Sequence, residues 1–148
     1  MLNYRILCVG RRARDPILDA TDDFLKRIKH SRSVELLRLK ESNPEGERDL
    51  ILSKLQTQDW VIALDERGDQ WTTLQVADHL QHRETTGERS VSFIIGGADG
   101  LHPEVRARAN MTLGLSRLTL PHRFALLLLC EQLYRVETIR QGSKYHRA

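Results

Sequence analysis

The stretch that decides the expected fold is residues 91–100, which read VSFIIGGADG. Val91–Ile95 predict a buried β-strand, and three glycines follow it directly. Glycines at such a point let the backbone approach a ligand closely, and a following helix offers free N–H groups. A plain strand-to-helix turn is the alternative. The G-x-G-x-x-G spacing of dinucleotide-binding folds and the phosphate loop of nucleotide hydrolases are absent from the sequence, so a nucleotide hydrolase is not expected.

On either side of this motif, the sequence alternates between strand-like and helix-like segments. Apolar runs predict further strands at Tyr4–Val9, Val34–Leu39, Trp60–Leu64 and Met111–Leu115. Spacing and start signals predict helices at Pro16–Ile28, Leu50–Leu55, Thr72–Leu80, His102–Asn110 and Pro121–Ile139. The polar stretch Glu41–Arg48, with its proline and glycine, predicts a loop. The alternation predicts an α/β fold with a mostly parallel sheet covered by helices on both faces, in a single domain over residues 1–148.

Composition is that of a globular protein with modest basicity. The 148 residues are 40% hydrophobic and 29% charged, and the formal net charge is +3. This charge permits nucleic-acid binding without requiring it. Two cysteines exclude a disulfide scaffold and a four-cysteine zinc site, and His79 and His82 have no evident third ligand, so no metal is expected. No signal peptide is recognised, and the longest apolar run, Phe124–Cys130, is too short for a membrane span, so we expect a cytoplasmic protein without membrane contact.

Three predicted loops are candidates for one binding pocket. They are the turn after Leu64, the glycine loop after Ile95, and Leu115–His122, which reads LSRLTLPH. Each loop leaves the carboxyl end of a strand, and ligands of open α/β sheets bind outside these ends. We therefore expect the three loops to line a common site, with three unrelated turns as the alternative.

The last predicted helix and the tail after it carry two further patterns. Phe124–Leu129 is apolar around the whole helix, which predicts either a subunit interface or a central core helix. In the tail, residues 144–147 read KYHR, and Tyr134–Arg135 repeats the pairing of a ring with a cation. Such pairs suit base stacking and phosphate contact. A solvated, disordered tail is the alternative.

In their order and spacing, these motifs closely resemble the RlmH family of bacterial ribosomal RNA methyltransferases. The matching segments are Val61–Gly68, Phe93–Gly100, Leu115–His122, Glu131–Val136 and Tyr145–Arg147. The resemblance covers essentially the whole chain. It implies a SPOUT-type fold whose C-terminal part threads a trefoil knot, and a homodimer with the last helix at its interface. It also implies methylation of N3 of a pseudouridine in 23S ribosomal RNA.

By position, the resemblance further implies which residues bind the methyl donor S-adenosylmethionine. They are Leu64, Gly97, Ser116, Arg117, Leu118, Thr119, Leu120 and Pro121. The sequence departs from the family pattern four residues after the Pro-His pair, where many members carry arginine and this chain has Leu126.

The tail supplies the candidate residues for the reaction itself. N3 of pseudouridine is a weakly acidic imide that must lose its proton before or during attack on the methyl group. His146 is the candidate base, because imidazole titrates near neutral pH, and Tyr145 is the candidate to stack on or orient the target base. Arg135, Lys144 and Arg147 are candidates for RNA binding. Alternatively, the tail only binds RNA and water takes the proton.

The size of the chain bears on its substrate. With little surface for a long RNA, it is expected to recognise the shape of an assembled ribosome rather than a bare sequence. A catalytically silent ribosome-binding or assembly factor with the same fold is the alternative function. Binding of S-adenosylmethionine distinguishes the two.

Overall fold

A computed structural model, described here for residues 1–147, is built on a five-stranded parallel sheet. The strands are β1 Asn3–Val9, β2 Val34–Leu39, β3 Trp60–Gln70, β4 Ser90–Ile95 and β5 Met111–Gly114. The helices are α1 Pro16–Ile28, α2 Pro44–Ser53, α3 Thr73–Thr85, α4 Pro103–Arg108 and α5 His122–Arg140. Strand order is β2-β1-β4-β3-β5, and all four neighbouring pairs are parallel. The carboxyl ends of all five strands therefore meet at one edge of the sheet.

Helices cover both faces of this sheet. Along β1, Ile6 and Cys8 pack into the core beneath α1, α3 and α5, whereas Leu7 and Val9 pack into the core beneath α2 and α4. A parallel strand buried on both faces has to be apolar at consecutive positions, which explains runs such as VSFII in β4. The predicted fold class, a mostly parallel sheet covered on both sides, is confirmed.

Three predicted boundaries were wrong. The third helix does not end at Leu80 but runs to Thr85. Glu41–Arg48 is not all loop, because α2 begins at Pro44: the side chain of Asn43 accepts a hydrogen bond from the backbone N–H of Gly46 at 2.7 Å and caps the helix. The third strand does not end at Leu64. It continues to Gln70 after an irregularity in its pairing with β5, so that residues 65–68 bulge out of the ladder.

A buried polar network ties the amino edge of the sheet to α3 and α5. Arg32 Nε donates to Glu137 Oε2 at 2.9 Å, and Arg32 Nη1 donates to Glu84 Oε2 at 3.2 Å. The Tyr4 hydroxyl donates to Glu137 Oε2 at 3.2 Å, and burial raises the pKa of Tyr4 above its ordinary value. The hydrogen bond from Arg32 lowers the pKa of Glu84. The network fixes the last turn of α5, from which the tail departs.

Candidate functional site

A cleft of about 400 Å³ lies at the carboxyl edge of the sheet. Its walls are the bulge of β3, the loop after β4, the loop after β5 and the first turn of α5. The lining residues are Leu64, Asp65, Glu66, Arg67, Ile95, Gly96, Gly97, Ala98, Asp99, Gly100, Leu101, Leu115, Ser116, Leu118, Thr119, Leu120, His122 and Ala125. The expectation that three strand-end loops form one pocket is confirmed.

The glycine loop after β4 brings bare backbone to the cleft. A Cβ on Gly96 would lie 2.8 Å from the carbonyl carbon of Gly100, a distance that real Cβ atoms do not reach. The loop is closed by a hydrogen bond from Gly100 N to Gly97 O at 3.0 Å. Any side chain at Gly96 would force this loop open, so the close turn and the exposed peptide groups depend on glycine.

Carboxylates give the β3 side of the cleft its charge. Arg67 donates to both carboxylate oxygens of Asp65, at 3.0 and 2.8 Å, and these hydrogen bonds lower the pKa of Asp65. Asp65 is therefore ionised at neutral pH and is balanced by Arg67. Glu66 and Asp99 also line the cleft, and neither pairs with a cation within residues 1–147. Their surplus negative charge favours a ligand that carries positive charge.

The loop after β5 is held by its own serine. Ser116 Oγ accepts a hydrogen bond from the backbone N–H of Leu118 at 2.9 Å, which shapes a tight turn. Leu118 is 73% exposed, and Leu120 and Thr119 face the cleft beside it. An apolar side chain held this far out in solvent is available to cover a ligand or a partner.

Six of the eight residues predicted to bind the cofactor line this cleft. They are Leu64, Gly97, Ser116, Leu118, Thr119 and Leu120. Arg117 and Pro121 belong to the same loop but do not line the cleft. Sequence reasoning missed Asp65, Glu66 and Asp99, although the acidic residues after a strand end were a readable signal.

The tail residues predicted to act in catalysis lie elsewhere in the protomer. The hydroxyl of Tyr145 donates to Glu131 Oε1 at 3.3 Å, and its ring packs edge-on against Tyr134 at 4.9 Å. The guanidinium of Arg135 lies 4.7 Å from the centre of the Tyr145 ring and 3.2 Å from Nδ1 of His146. The tail is thus docked on the second half of α5, whereas the first turn of that helix lines the cleft. Lys144 and Arg147 are exposed beside it.

The contact with Arg135 fixes the hydrogen-bonding state of His146. A guanidinium only donates, so Nδ1 of His146 must accept, and a neutral ring then carries its proton on Nε2. In this position His146 offers no free acceptor nitrogen. It can take a proton, on Nδ1, only after the contact with Arg135 opens.

The last helix is both core and surface. Leu126, Leu129 and Cys130 are buried against the sheet, whereas Phe124 and Leu128 are 36% and 40% exposed. Phe124 and Leu128 are four residues apart and share one face of α5. The core interpretation of the apolar run is therefore confirmed for one side of the helix. The other side is an uncovered apolar stripe, for which the subunit interface stays a prediction.

No helix in residues 1–147 is long and apolar enough to cross a membrane. Within the same residues, no three His, Cys, Asp or Glu side chains are grouped closely enough to hold a metal ion. His79 packs between Trp60 and Trp71, whose ring centres lie 5.7 and 5.0 Å from its own.

Known proteins of similar sequence and structure agree with the geometry. The family model described as "Predicted SPOUT methyltransferase" matches residues 2–146. Relatives named "Ribosomal RNA large subunit methyltransferase H" are 42% identical in Paraburkholderia phymatum, over 99% of both chains, and 44% identical in Synechococcus sp., over 97% of this chain and 96% of the relative. A probable methyltransferase from Bordetella pertussis shares the fold, with a TM-score of 0.55 at 12% identity over 90% of this chain and 95% of that one. The chain belongs to the SPOUT methyltransferase family.

Proposed function

We propose that this methyltransferase transfers a methyl group from S-adenosylmethionine to N3 of a pseudouridine in 23S ribosomal RNA, on the assembled ribosome. The observation that carries the proposal is the single cleft that the three strand-end loops form, because most of the residues matching the family's cofactor loops line it. The names of the relatives supply the substrate class. As in the family, we expect these loops to belong to a trefoil knot within one domain.

The cleft fits the proposed cofactor in size and in chemistry. A volume of about 400 Å³ lies within the range of small-molecule sites. Leu64 and Leu120 offer apolar contacts for a ring, and the peptide groups around Gly97 offer hydrogen bonds. The unpaired carboxylates of Glu66 and Asp99 suit the positive charges of an amino acid ammonium and a sulfonium. When bound, S-adenosylmethionine supplies an activated methyl group with a neutral leaving group.

The protein's own residues hold the nucleophile, accept its proton and stabilise the anion that remains. N3 of pseudouridine becomes anionic as its proton leaves, and nearby cations stabilise that charge. Arg135 and Arg147 are the candidates for this role, and His146 is the candidate to take the proton once its contact with Arg135 opens. Burial and the neighbouring Glu131 raise the pKa of Tyr145, so its hydroxyl stays protonated and serves to stack or to donate rather than as a base.

A homodimer would bring the tail and the cleft together. The exposed stripe of Phe124 and Leu128 runs along α5 between the cleft and the tail, and Leu118 in the cleft loop is exposed as well. A second copy packed on this stripe would cover the apolar side chains and place its own tail at the neighbouring cleft. The uncovered stripe therefore supports a dimer with composite active sites.

Leu126 bears on the alternative of a silent ribosome-binding factor. This side chain, where many relatives carry arginine, is fully buried in the core of this chain. An apolar residue is what that environment favours. The departure thus reflects packing, and it gives the silent factor no structural support.

Calorimetric titration with S-adenosylmethionine tests the proposed cofactor site. Ala98 is exposed in the cleft, so Ala98→Trp fills the cleft without disturbing the core, and Ala107→Trp places the same ring on the exposed face of α4 as a control. We expect the wild type and Ala107→Trp to bind equally and Ala98→Trp to lose at least tenfold in affinity. Full affinity in Ala98→Trp would show that the cofactor lies elsewhere. No binding by the wild type would favour the silent factor.

A further inference from the structure

The loop between β1 and α1 is unusually rich in arginine. Residues 10–14 read GRRAR, and all three arginines are exposed. Arg12 is anchored to α1 through ion pairs with Asp19 at 3.6 Å and with Asp22. Arg11 and Arg14 have no carboxylate or hydrogen-bond partner within residues 1–147. The loop thus presents two uncompensated guanidiniums to solvent.

The position of this loop connects it to the cleft. Gly10 follows β1 with a φ of 134° and lies so close to His122 that an added Cβ would be 2.9 Å from the imidazole Nε2. His122 itself lines the cleft. At the other end of the loop, Asp15 pairs with Arg123 Nε at 3.0 Å, in the first turn of α5. Both ends of the loop are therefore fixed against the helix that forms one wall of the cleft.

The same anchors explain why the free arginines stay in place. Asp15 also caps α1, because its side chain accepts from the backbone N–H of Ile17 at 2.8 Å. Asp15 and Asp22 are taken up by Arg123 and Arg12. Glu41 has its carboxylate beside Gly10, but within residues 1–147 no carboxylate lies within ion-pair distance of Arg11 or Arg14. Surplus guanidiniums on a short, anchored loop are suited to phosphate groups, which they bind with two parallel hydrogen bonds.

We propose that Arg11 and Arg14 bind the sugar–phosphate backbone of the RNA on which the cleft acts, on the α1 side of its entrance. This inference rests on the proposed function and adds a part of the RNA-binding surface that lies outside the tail. The contacts are with phosphates, so they position the RNA and carry no base preference. The acidic side chains Glu66 and Asp99 line the cleft itself, so cofactor and RNA backbone meet surfaces of opposite charge.

The test compares two pairs of charge-removing substitutions in methyl transfer to ribosomes that lack the modification. Arg11→Gln/Arg14→Gln removes the proposed contacts. Lys54→Gln/Arg89→Gln removes two exposed cations at the opposite, amino edge of the sheet and is the matched control. Rates are measured against ribosome concentration at several salt concentrations, together with the affinity for S-adenosylmethionine and the melting temperature.

We expect Arg11→Gln/Arg14→Gln to raise KM for ribosomes about tenfold at moderate salt, with unchanged cofactor affinity and melting temperature. The plot of log affinity against log salt should become less steep by about 1.4 to 1.8, which is the contribution of two phosphate contacts. The control pair should match the wild type, and Arg11→Lys/Arg14→Lys should keep most of the affinity.

Three results would overturn the inference. Equal KM in the wild type and Arg11→Gln/Arg14→Gln would show that the loop does not touch the substrate. A raised KM with an unchanged salt slope would indicate a contact with something other than phosphate, such as a ribosomal protein. Absence of methyl transfer by the wild type would refute the proposed function and, with it, the inference. This outcome differs from the other two because the control pair would then be inactive as well.

Discussion

The tail lies on the wrong part of α5 to serve its own cleft, which leads to a prediction about subunit exchange. From His122 to Arg140, the 19-residue helix rises about 27 Å. From Arg140 to His146, the chain spans at most about 21 Å even when fully extended. Even a fully extended tail therefore leaves the Cα atoms of His146 and His122 of the same chain at least about 6 Å apart while α5 stays helical. The observed docking of the tail on Glu131 and Arg135 holds His146 away from its own cleft. In the proposed dimer, each cleft receives the tail of the partner.

A heterodimer of two defective protomers tests this geometry. One protomer carries Ala98→Trp, which closes the cleft, and the other carries Tyr145→Ala and His146→Ala, which remove the tail groups. If tails act across the dimer, one of the two sites combines an intact cleft with an intact tail. The purified heterodimer should then keep about half of the wild-type rate on ribosomes. If tails act within a chain, both sites are defective.

The assay isolates the heterodimer through a different affinity tag on each protomer and follows transfer of a labelled methyl group. The two homodimers are the controls, and both should be inactive while keeping the circular dichroism of the wild type. A heterodimer as inactive as the homodimers would refute the reasoning. A wild-type rate in the homodimer without tail groups would remove Tyr145 and His146 from the reaction.

Three further predictions concern the rest of the molecule. Glu137→Ala should lower the free energy of unfolding in urea by about 3–5 kcal/mol, because it leaves buried Arg32 without its closest carboxylate; an effect below 1 kcal/mol would contradict this. Burial lowers the pKa of His79 below 6.5, so on acidification the unfolded chain takes up the proton before the folded protein does. The free energy of unfolding should therefore be fully kept above about pH 6.5 and fall as the pH drops below it, and His79→Phe should make this loss with falling pH smaller. Burial raises the pKa of Cys8 to about 11 and of Cys130 to about 12, so neither thiol should react with a disulfide reagent at pH 8 until the protein is unfolded.

The fold could be predicted because the apolar runs that favour strands are also the segments that the fold buries. A parallel strand covered on both faces is apolar at most of its consecutive positions, so Val91–Ile95 and Tyr4–Val9 could be recognised from residue type alone. The segment Glu41–Arg48, predicted as a loop, was harder to assign. Proline and glycine suggested a loop, but proline is favoured in the first turn of a helix, and the cap at Asn43 outweighs the cost of Gly46.

The sequence predicts where the site lies only from the positions at which the strands end. The parallel order places the loops after Leu64, Ile95 and Gly114 at one edge, and this much follows from the sequence. The bulge that brings Asp65 and Glu66 to the cleft depends on a shift in pairing with β5, which residue types do not encode visibly. Where the tail acts depends on the length of α5 and, in the proposed dimer, on the partner chain.

The most direct test of the account is to map the methyl group. Ribosomes and free large subunits from cells lacking this enzyme would be incubated with the protein and S-adenosylmethionine labelled in the methyl group, and the modified nucleoside identified by mass spectrometry. The account predicts label in one 3-methylpseudouridine of 23S ribosomal RNA, with assembled ribosomes as the better substrate. Label in another nucleoside, or no label from a protein that binds the cofactor, would contradict it.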